Sequence, residues 1–145
     1  MKLTREQAIE EHRKMWLWIS RQIMKDYVAN EKVRTIYSYK CDYLNCNFPN
    51  EKVKSKCFCC EYVIQHGESC REDCLLYWND KCTEFVCNDY FGYYNIITNI
   101  IKKPYSARYD FATLEEAKRA ARMAYKIAML DEKKDLYRRL NNVQV

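Results

Sequence analysis

Residues 57–74 hold five of the nine cysteines of this chain, and they read Cys57-Phe-Cys-Cys-Glu-Tyr-Val-Ile-Gln-His-Gly-Glu-Ser-Cys-Arg-Glu-Asp-Cys74. Cys57 and Cys60 have two residues between them, and Cys70 and Cys74 have three. Such spacing lets a tight turn point both thiolates at one ion, and two pairs complete the tetrahedral shell that zinc prefers. We therefore predict a structural zinc ion bound by Cys57, Cys60, Cys70 and Cys74.

The remaining cysteines leave the number of zinc ions open. All nine cysteines lie between residues 41 and 87, and one ion needs four of them. The looser pairs, with four residues between the sulfurs, are Cys41 with Cys46 and Cys82 with Cys87. These four residues are an alternative ligand set for a second ion, and Cys59 is then left over.

A zinc knuckle of the kind that binds nucleic acids is a further alternative. Its ligands would be Cys57, Cys60, His66 and Cys70. The histidine stands one position late, and the glycines that tighten a knuckle are missing except for Gly67. We therefore interpret His66 as a loop residue beside the metal.

Disulfide bonds are the competing interpretation of so many cysteines, and they require an oxidising compartment. A secretory signal needs an uninterrupted apolar run, whereas residues 1–29 carry charged side chains throughout, from Arg5 to Asp26. The same charges exclude a membrane span in this segment. We expect a cytoplasmic protein with reduced thiols and no membrane partner.

Length and composition indicate one domain over residues 1–145, in which two glycines and two prolines exclude flexible linkers and glycine-rich phosphate loops. We expect residues 1–44 to be helical and residues 45–100 to form a cysteine-rich zinc lobe. Residues 101–145 return to helix, with a tail that frays from about residue 131. The predicted fold class is α+β and mainly α.

The first helix is predicted by its start signal and by its period. Thr4-Arg-Glu-Gln7 fits a capping box, in which side chains bond the amides left over at a helix start. The apolar stripe comprises Ala8, Ile9, His12, Met15, Trp16, Ile19, Ile23 and Tyr27. We interpret His12 as a hydrogen-bonded core histidine, while Trp18 projects from another side and is a candidate partner contact.

The middle of the chain has weaker periodicity. Residues 32–44 are predicted to form a second helix or a bent continuation of the first, and residues 45–50 have turn composition. Residues 51–94 show no helical period, which favours short strands and turns around the metal. Residues 93–101 are aromatic and β-branched, which fits a strand or a short helix.

A last helix follows a second capping box, Thr113-Leu-Glu-Glu116. The residues assigned to its apolar face are Leu114, Ala117, Ala121, Ala124, Tyr125 and Ala128. Small side chains permit close approach, so we expect this amphipathic helix to pack against the N-terminal one. The irregular zinc-stapled lobe of short strands and turns lies between the two helices in sequence.

Charge is distributed unevenly along the chain: residues 1–40 sum to +4, residues 41–100 to −4 and residues 101–145 to +5. Four thiolates around one divalent ion make the middle still more negative. Candidate contacts for nucleic acid therefore belong to the last segment, and they are Lys102, Lys103, Arg108, Arg119 and Arg122. Acidic residues interleave with these bases, which is typical of a solvated helix face.

Catalytic machinery has little support in the sequence. A cysteine nucleophile needs a base, and the chain has only two histidines, of which His66 could serve Cys59. A hydrolytic zinc site commonly uses a glutamate base, for which Glu61 is the nearby candidate. The excess of thiols favours a closed metal shell, and we predict that the protein is not an enzyme.

Several motifs together resemble one family. They are His12-Arg-Lys-Met-Trp16, Cys57-Phe-Cys-Cys-Glu-Tyr62, Cys70, and Cys74-Leu-Leu-Tyr-Trp78. This pattern is similar to a family of small cysteine-rich proteins of phages and prophages of Gram-positive bacteria. In that family both cysteine pairs usually have two-residue spacing and a proline commonly follows the last cysteine, where this chain has Leu75. The resemblance implies a zinc-stabilised accessory phage protein and no particular chemistry.

Three functions follow from that implied origin. The first, which we prefer, is a counter-defence inhibitor that binds a host immune protein such as a CRISPR effector, because rigid stapling lowers the ordering cost of binding. The second is a nucleic-acid-binding regulator that uses the basic terminal segments. The third is a sponge that sequesters a nucleotide immune signal by tyrosine stacking. None of these three functions predicts the oligomeric state.

Overall fold

The computed structural model describes residues 2–51, 57–67, 74–76, 97, 109–111 and 113–132. The elements in these residues are α1 (Arg5–Asn30), β1 (Lys32–Arg34), α2 (Ile36–Asn47), α3 (Phe58–Gln65), β2 (Tyr109–Phe111) and α4 (Leu114–Ala128). Helices account for most of this part of the chain. The prediction of a mainly helical protein is therefore confirmed.

Helix α1 begins at the predicted capping box. The Thr4 hydroxyl accepts from the Gln7 amide at 3.1 Å, and the Gln7 side-chain oxygen accepts from the Thr4 amide at 2.9 Å. At the other end, Glu31 has a left-handed backbone with φ 56°, and its amide donates to the Tyr27 carbonyl at 2.7 Å. Left-handed residues commonly end helices in this way, so the chain turns away after Asn30.

The predicted apolar stripe of α1 is its buried face. Its buried members are Ala8, Ile9, His12, Met15, Trp16, Ile19 and Ile23. Tyr27, at the end of the stripe, is partly buried and packs against the same core. The helical period thus identified the inner face of α1 correctly, because burial of one face is what gives a long helix its period.

Helix α4 also begins at a capping box, formed by Thr113 and Glu116 with bonds of 3.1 Å and 2.9 Å. Its buried residues are Ala117, Ala120, Ala121, Met123, Ala124, Ile127 and Ala128. The assignment of Leu114 and Tyr125 to this face is wrong, because these side chains are 43% and 53% exposed. Both lie just beyond the edge of the buried arc on a helix with 3.6 residues per turn.

Helices α1 and α4 pack together in antiparallel orientation. The Ser20 hydroxyl donates to the carbonyl of Ala121 at 2.9 Å. Nearer the start of α1, Nε2 of His12 lies 2.9 Å from the carbonyl oxygen of Ile127. Side chains of α1 reach backbone carbonyls of α4 because the alanines of α4 allow the two helices to approach closely.

The segment after α1 differs from its prediction. The first residues of the stretch 32–44, expected to be helical, form strand β1, which pairs antiparallel with β2 in the register Lys32 to Phe111 and Arg34 to Tyr109. Helix α2 then begins after its N-cap residue Thr35, whose hydroxyl accepts a hydrogen bond from the Ser38 amide at 3.2 Å. The helix prediction fails at β1 because its pairing partner lies far away in sequence, and local period carries no information about it.

A buried charge network joins α1, β1 and α2. The Arg34 guanidinium donates to Asp26 of α1 at 3.1 Å and to Asp42 of α2, and it lies 4.5 Å from the centre of the Tyr39 ring. The Tyr39 hydroxyl donates to Asp26 at 2.9 Å, and burial raises the pKa of Tyr39 well above its ordinary value. Arg34 is thus buried with two carboxylates, which compensates the cost of removing its charge from water.

The expectation of short strands and turns over residues 51–94 is wrong at α3, which buries Phe58, Cys59, Glu61 and Val63. Eight residues form only two turns, too few for a helical period to stand out in the sequence. Residues 93–101 lie outside the described residues except for Ile97, which is helical and buried.

The start of the C-terminal tail is held in place, whereas fraying was expected from about residue 131. Glu132 forms an isolated antiparallel bridge with Leu76, and its carboxylate lies 2.9 Å from the Arg5 guanidinium. These partners come from distant parts of the sequence, which explains why composition did not reveal them. Residues 133–145 lie outside the described residues.

The imidazole of His12 is fully buried at the interface of α1 and α4. Because a carbonyl only accepts, the bond to Ile127 places the ring proton on Nε2. Burial lowers the pKa of His12 to about 4; the bond to Ile127 opposes this, and the charges of Lys40 and Arg13 add to it. The folded protein therefore holds His12 neutral.

We predict that the protein loses stability as the pH falls from 6.5 towards 4. In this window the unfolded chain protonates His12 at its ordinary pKa of 6.5 while the folded chain does not. The shift corresponds to about 3 kcal/mol in the free energy of unfolding, measurable by urea denaturation at several pH values. His12→Gln should remove this component of the pH dependence, and His66→Gln, a change at the exposed histidine, should keep it. Equal profiles for the wild type and His12→Gln would contradict the assignment.

Candidate metal centre

Three of the candidate cysteines lie at the start of α3. Cys57 is the residue before the helix, with an extended backbone of φ −130° and ψ 124°, and its side chain makes no capping bond. Cys59 and Cys60 belong to the first turn. The partial positive charge of a helix N-terminus stabilises thiolates, so this end of α3 suits cysteines that bind a metal.

Cys59, which the spacing left without a role, is part of the core. Its side chain is fully buried, and Sγ lies 4.0 Å from the carbonyl oxygen of Ala8 in α1. Burial raises the pKa of the Cys59 thiol far above its ordinary value, and the neighbouring Cys57 and Cys74 raise it further. Cys59 is therefore a protonated thiol and packs as a small apolar side chain.

Cys74 is the described member of the second cysteine pair. It is buried, and Leu76 shortly after it is bridged to Glu132. Cys57 and Cys74 both raise the pKa of Cys59 through their charges, so one cysteine from each predicted pair lies in the neighbourhood of Cys59.

Two arginines of α1 lie in the neighbourhood of Cys59. The positive charges of Arg5 and Arg13 act on the Cys59 thiol in the direction that lowers its pKa, although burial outweighs them. Both guanidiniums also contact Glu132, at 2.9 Å and 3.8 Å. This side of α1 therefore carries positive charge near the cysteine.

Cys60 is in a disulfide bond, so the expectation of reduced thiols is wrong at this residue. A cysteine in a disulfide has no thiolate for a metal, so zinc binding by Cys60 requires the reduced protein. Cys70 also lies outside the described residues. In the part of the chain that the structure describes, no three histidine, cysteine or acidic side chains are grouped closely enough to hold a metal ion.

The second candidate set is described only in its first half. Cys41 is half-buried and Cys46 is exposed, and both belong to α2. Residues five positions apart on a helix point about 140° away from each other, so α2 does not direct these two sulfurs at one ion. Cys82 and Cys87 lie outside the described residues.

His66 follows α3 at the opposite end from the cysteines. It is exposed, its Nδ1 donates to the Tyr62 carbonyl at 2.8 Å, and its ring centre lies 4.2 Å from that of Tyr62. His66 stands seven positions after Cys59, which corresponds to roughly 10 Å along the helix axis. His66 is therefore not positioned as a base for Cys59.

The candidate partner residues are distributed over two helices. Trp18 is partly buried and packs on α2, with ring-centre distances of 6.4 Å to Tyr39 and 5.7 Å to Tyr43. Arg119 is half-buried on α4 and Arg122 is exposed there. Lys102, Lys103 and Arg108 lie outside the described residues. The main contacts of Trp18 are therefore internal, between α1 and α2.

The structure shows one surface that the sequence reasoning missed, on the solvent side of α4. We call it the outer stripe, and it comprises Leu114, Lys118, Arg122, Tyr125 and Met129, all exposed. The spacing of these residues by three or four positions is a helical period, and it could have been found in the sequence. It was missed because Leu114 and Tyr125 were assigned to the buried face.

Comparison with protein-family models, with curated proteins and with solved structures gave no match. Among the described residues, no helix has the length and apolar character needed to cross a membrane.

We predict that Cys59→Ser destabilises the protein although Cys59 is no predicted metal ligand. The change places a more polar hydroxyl in a fully buried site, where its desolvation costs about 1–3 kcal/mol. Chemical denaturation should therefore give a lower free energy of unfolding for Cys59→Ser and little change for Cys59→Ala. The matched control is Cys46→Ser, which alters an exposed cysteine and should be neutral. Identical stabilities for Cys59→Ser and Cys46→Ser would show that Cys59 is not in the core.

Proposed function

We propose that the chain is a zinc-stabilised, non-enzymatic accessory protein of a phage. In this proposal it acts in the host cytoplasm as a counter-defence inhibitor that binds a host immune protein, such as a CRISPR effector. The observation that carries the binding role is the outer stripe of α4. Leu114, Tyr125 and Met129 are 43%, 53% and 44% exposed there, and large apolar side chains grouped at a surface are typical of protein interfaces.

The zinc part of the proposal is supported by the spacing of the two cysteine pairs and by the neighbourhood of Cys59. Cys57 and Cys74, from separate pairs, both act electrostatically on Cys59, and so do the positive charges of Arg5 and Arg13. Cys60 and Cys70 would complete the tetrahedral shell in the reduced protein. An ion held in this way would fix the start of α3 against α1, and a rigid scaffold has less to lose in conformational entropy when it binds a partner.

Protein binding is favoured over the two alternatives. Contacts to phosphates are made by cations, and large exposed apolar side chains contribute nothing to them. Three of the five residues in the outer stripe are apolar or aromatic, which fits a protein partner better than a nucleic acid. A nucleotide sponge needs a cationic pocket. Of the cavities formed by described residues, one of about 430 Å³ has Lys2 as its single lysine or arginine. Another, of about 260 Å³, places Arg13 and Lys14 among three glutamates, so neither cavity offers much positive charge to a polyphosphate.

We predict one zinc ion per chain in protein purified under reducing conditions, measured by native mass spectrometry. Cys57→Ser and Cys74→Ser should each lose the metal and most of the fold stability, because structural zinc contributes ~10 kcal/mol or more to folding. The exposed Cys46→Ser should keep one zinc ion. Two ions per chain would instead indicate that the pairs Cys41–Cys46 and Cys82–Cys87 bind a second ion. A metal-free chain lighter by pairs of hydrogens would establish disulfides and refute the zinc site.

We predict that expression of the protein protects an infecting phage in bacteria that carry the targeted immune system. The assay compares plaque counts on a panel of strains, each with one defence system, in the presence and absence of the protein. Plaques should rise by at least ~10-fold on the strain with the targeted system and stay unchanged on a strain without defence. Binding of the purified protein to the corresponding immune protein, in ~1:1 ratio, distinguishes an inhibitor from an enzyme, because an enzyme acts at lower ratios.

If Cys74→Ser protects the phage as well as the wild type does, the function does not depend on the zinc-stabilised fold. No protection on any strain of a panel that covers the major defence systems would contradict the proposed function. Retained protection combined with nucleic-acid binding that falls steeply with salt would favour the regulator.

A further inference from the structure

We propose that the outer stripe of α4 binds an amphipathic, acidic helix of the partner. This inference deepens the proposed function and rests on it for one assumption, that the partner is a protein. It concerns the surface that is used and the chemistry that fits it.

The outer stripe is narrow, straight and long. Its members are separated by four, four, three and four positions along α4. On a helix with 3.6 residues per turn they fall within an arc of roughly 80° and extend over about 22 Å. A second helix lying along α4 would match these dimensions, since helices pack through rows of side chains spaced three or four residues apart.

Apolar and basic side chains alternate along the stripe. Leu114 stands at one end, Tyr125 and Met129 stand at the other, and Lys118 and Arg122 lie between them. A partner helix should therefore place apolar side chains opposite the ends of the stripe. It should place its charged side chains opposite the middle.

Within the described residues, the positive charges in the middle of the stripe have only weak ion-pair partners. Lys118 has a carboxylate of Glu115 at 4.0 Å, and both side chains are largely exposed, so this contact is weak. No carboxylate of the described residues forms an ion pair with Arg122. Glu116, the other acidic residue at the helix start, is engaged in the capping box with Thr113. Aspartate or glutamate side chains of the partner complement this pattern.

The same pattern disfavours the other occupants of such a face. A second copy of the chain in antiparallel orientation would bring Lys118 and Arg122 close to their equivalents, and like charges in contact cost energy. A nucleic acid would pair with the cations but would leave Leu114 and Met129 exposed to water. An acidic helix with apolar side chains three or four positions apart uses both parts of the stripe.

The test is a selection from a displayed library of helical peptides with randomised surface positions, with the full-length reduced and zinc-loaded protein as the target. We expect enriched peptides to combine aspartate or glutamate with apolar residues at i, i+3 or i+4 spacing. Arg122→Glu and Tyr125→Ala should each weaken binding of an enriched peptide by at least ~10-fold in fluorescence anisotropy. Lys25→Glu is the matched control, because it reverses an exposed charge on α1, and it should leave the affinity unchanged.

Melting curves show whether each variant is folded, and only folded variants count. Enriched peptides without acidic residues, or equal affinities for the wild type, Arg122→Glu and Tyr125→Ala, would overturn the proposal. So would duplex DNA binding that Arg122→Glu abolishes, or a dimer in sedimentation that Met129→Glu dissociates. A selection that yields no binding peptide would also overturn the proposal.

The plaque assay separates this inference from the function on which it rests. If the protein protects phage and Arg122→Glu protects equally well, the function stands and the outer stripe is the wrong surface. If peptides bind as expected but no strain is protected, the stripe stands and the counter-defence role is wrong.

Discussion

The close approach of α1 and α4 is the constraint on which the rest of the described structure depends. The inner face of α4 is built largely from alanines, and their small side chains let His12 and Ser20 of α1 reach carbonyls of α4 at 2.9 Å. Two helices at this distance leave little room between them, so a larger side chain on α4 would separate them and break both bonds. The remaining described helices are then placed by α1, which contacts both α2 and α3.

The parts of the fold that sequence predicted are those with local causes. Both capping boxes and the inner stripe of α1 follow from residues within a few turns of one another, and the structure contains them. Strand β1 and the bridge from Leu76 to Glu132 pair residues that are distant in sequence. The local pattern of apolar residues therefore does not predict them. The misplacement of Leu114 and Tyr125 has a different cause, since the edge of a buried arc depends on how closely the neighbouring helix approaches.

The candidate metal centre was predictable in its residue types and less so in its surroundings. Spacing selected Cys57 and Cys74, and the structure brings both near Cys59. Spacing carried no information about the burial of Cys59, because that burial comes from the contact of α3 with Ala8 of α1. The disulfide at Cys60 could not be predicted either, since thiols and disulfides share the same sequence. The four-cysteine zinc site stays a prediction.

Cys59 and the end of α4 are linked through two arginines of α1. Arg5 and Arg13 act electrostatically on Cys59 and also contact Glu132, which follows closely after the end of α4. Arg13 donates in addition to the Leu130 carbonyl at 3.2 Å. A change of charge near Cys59 therefore acts on the same guanidiniums that hold the end of α4. Because the alanines fix the inner face of α4 against α1, the direction in which the outer stripe points is set by the same contacts.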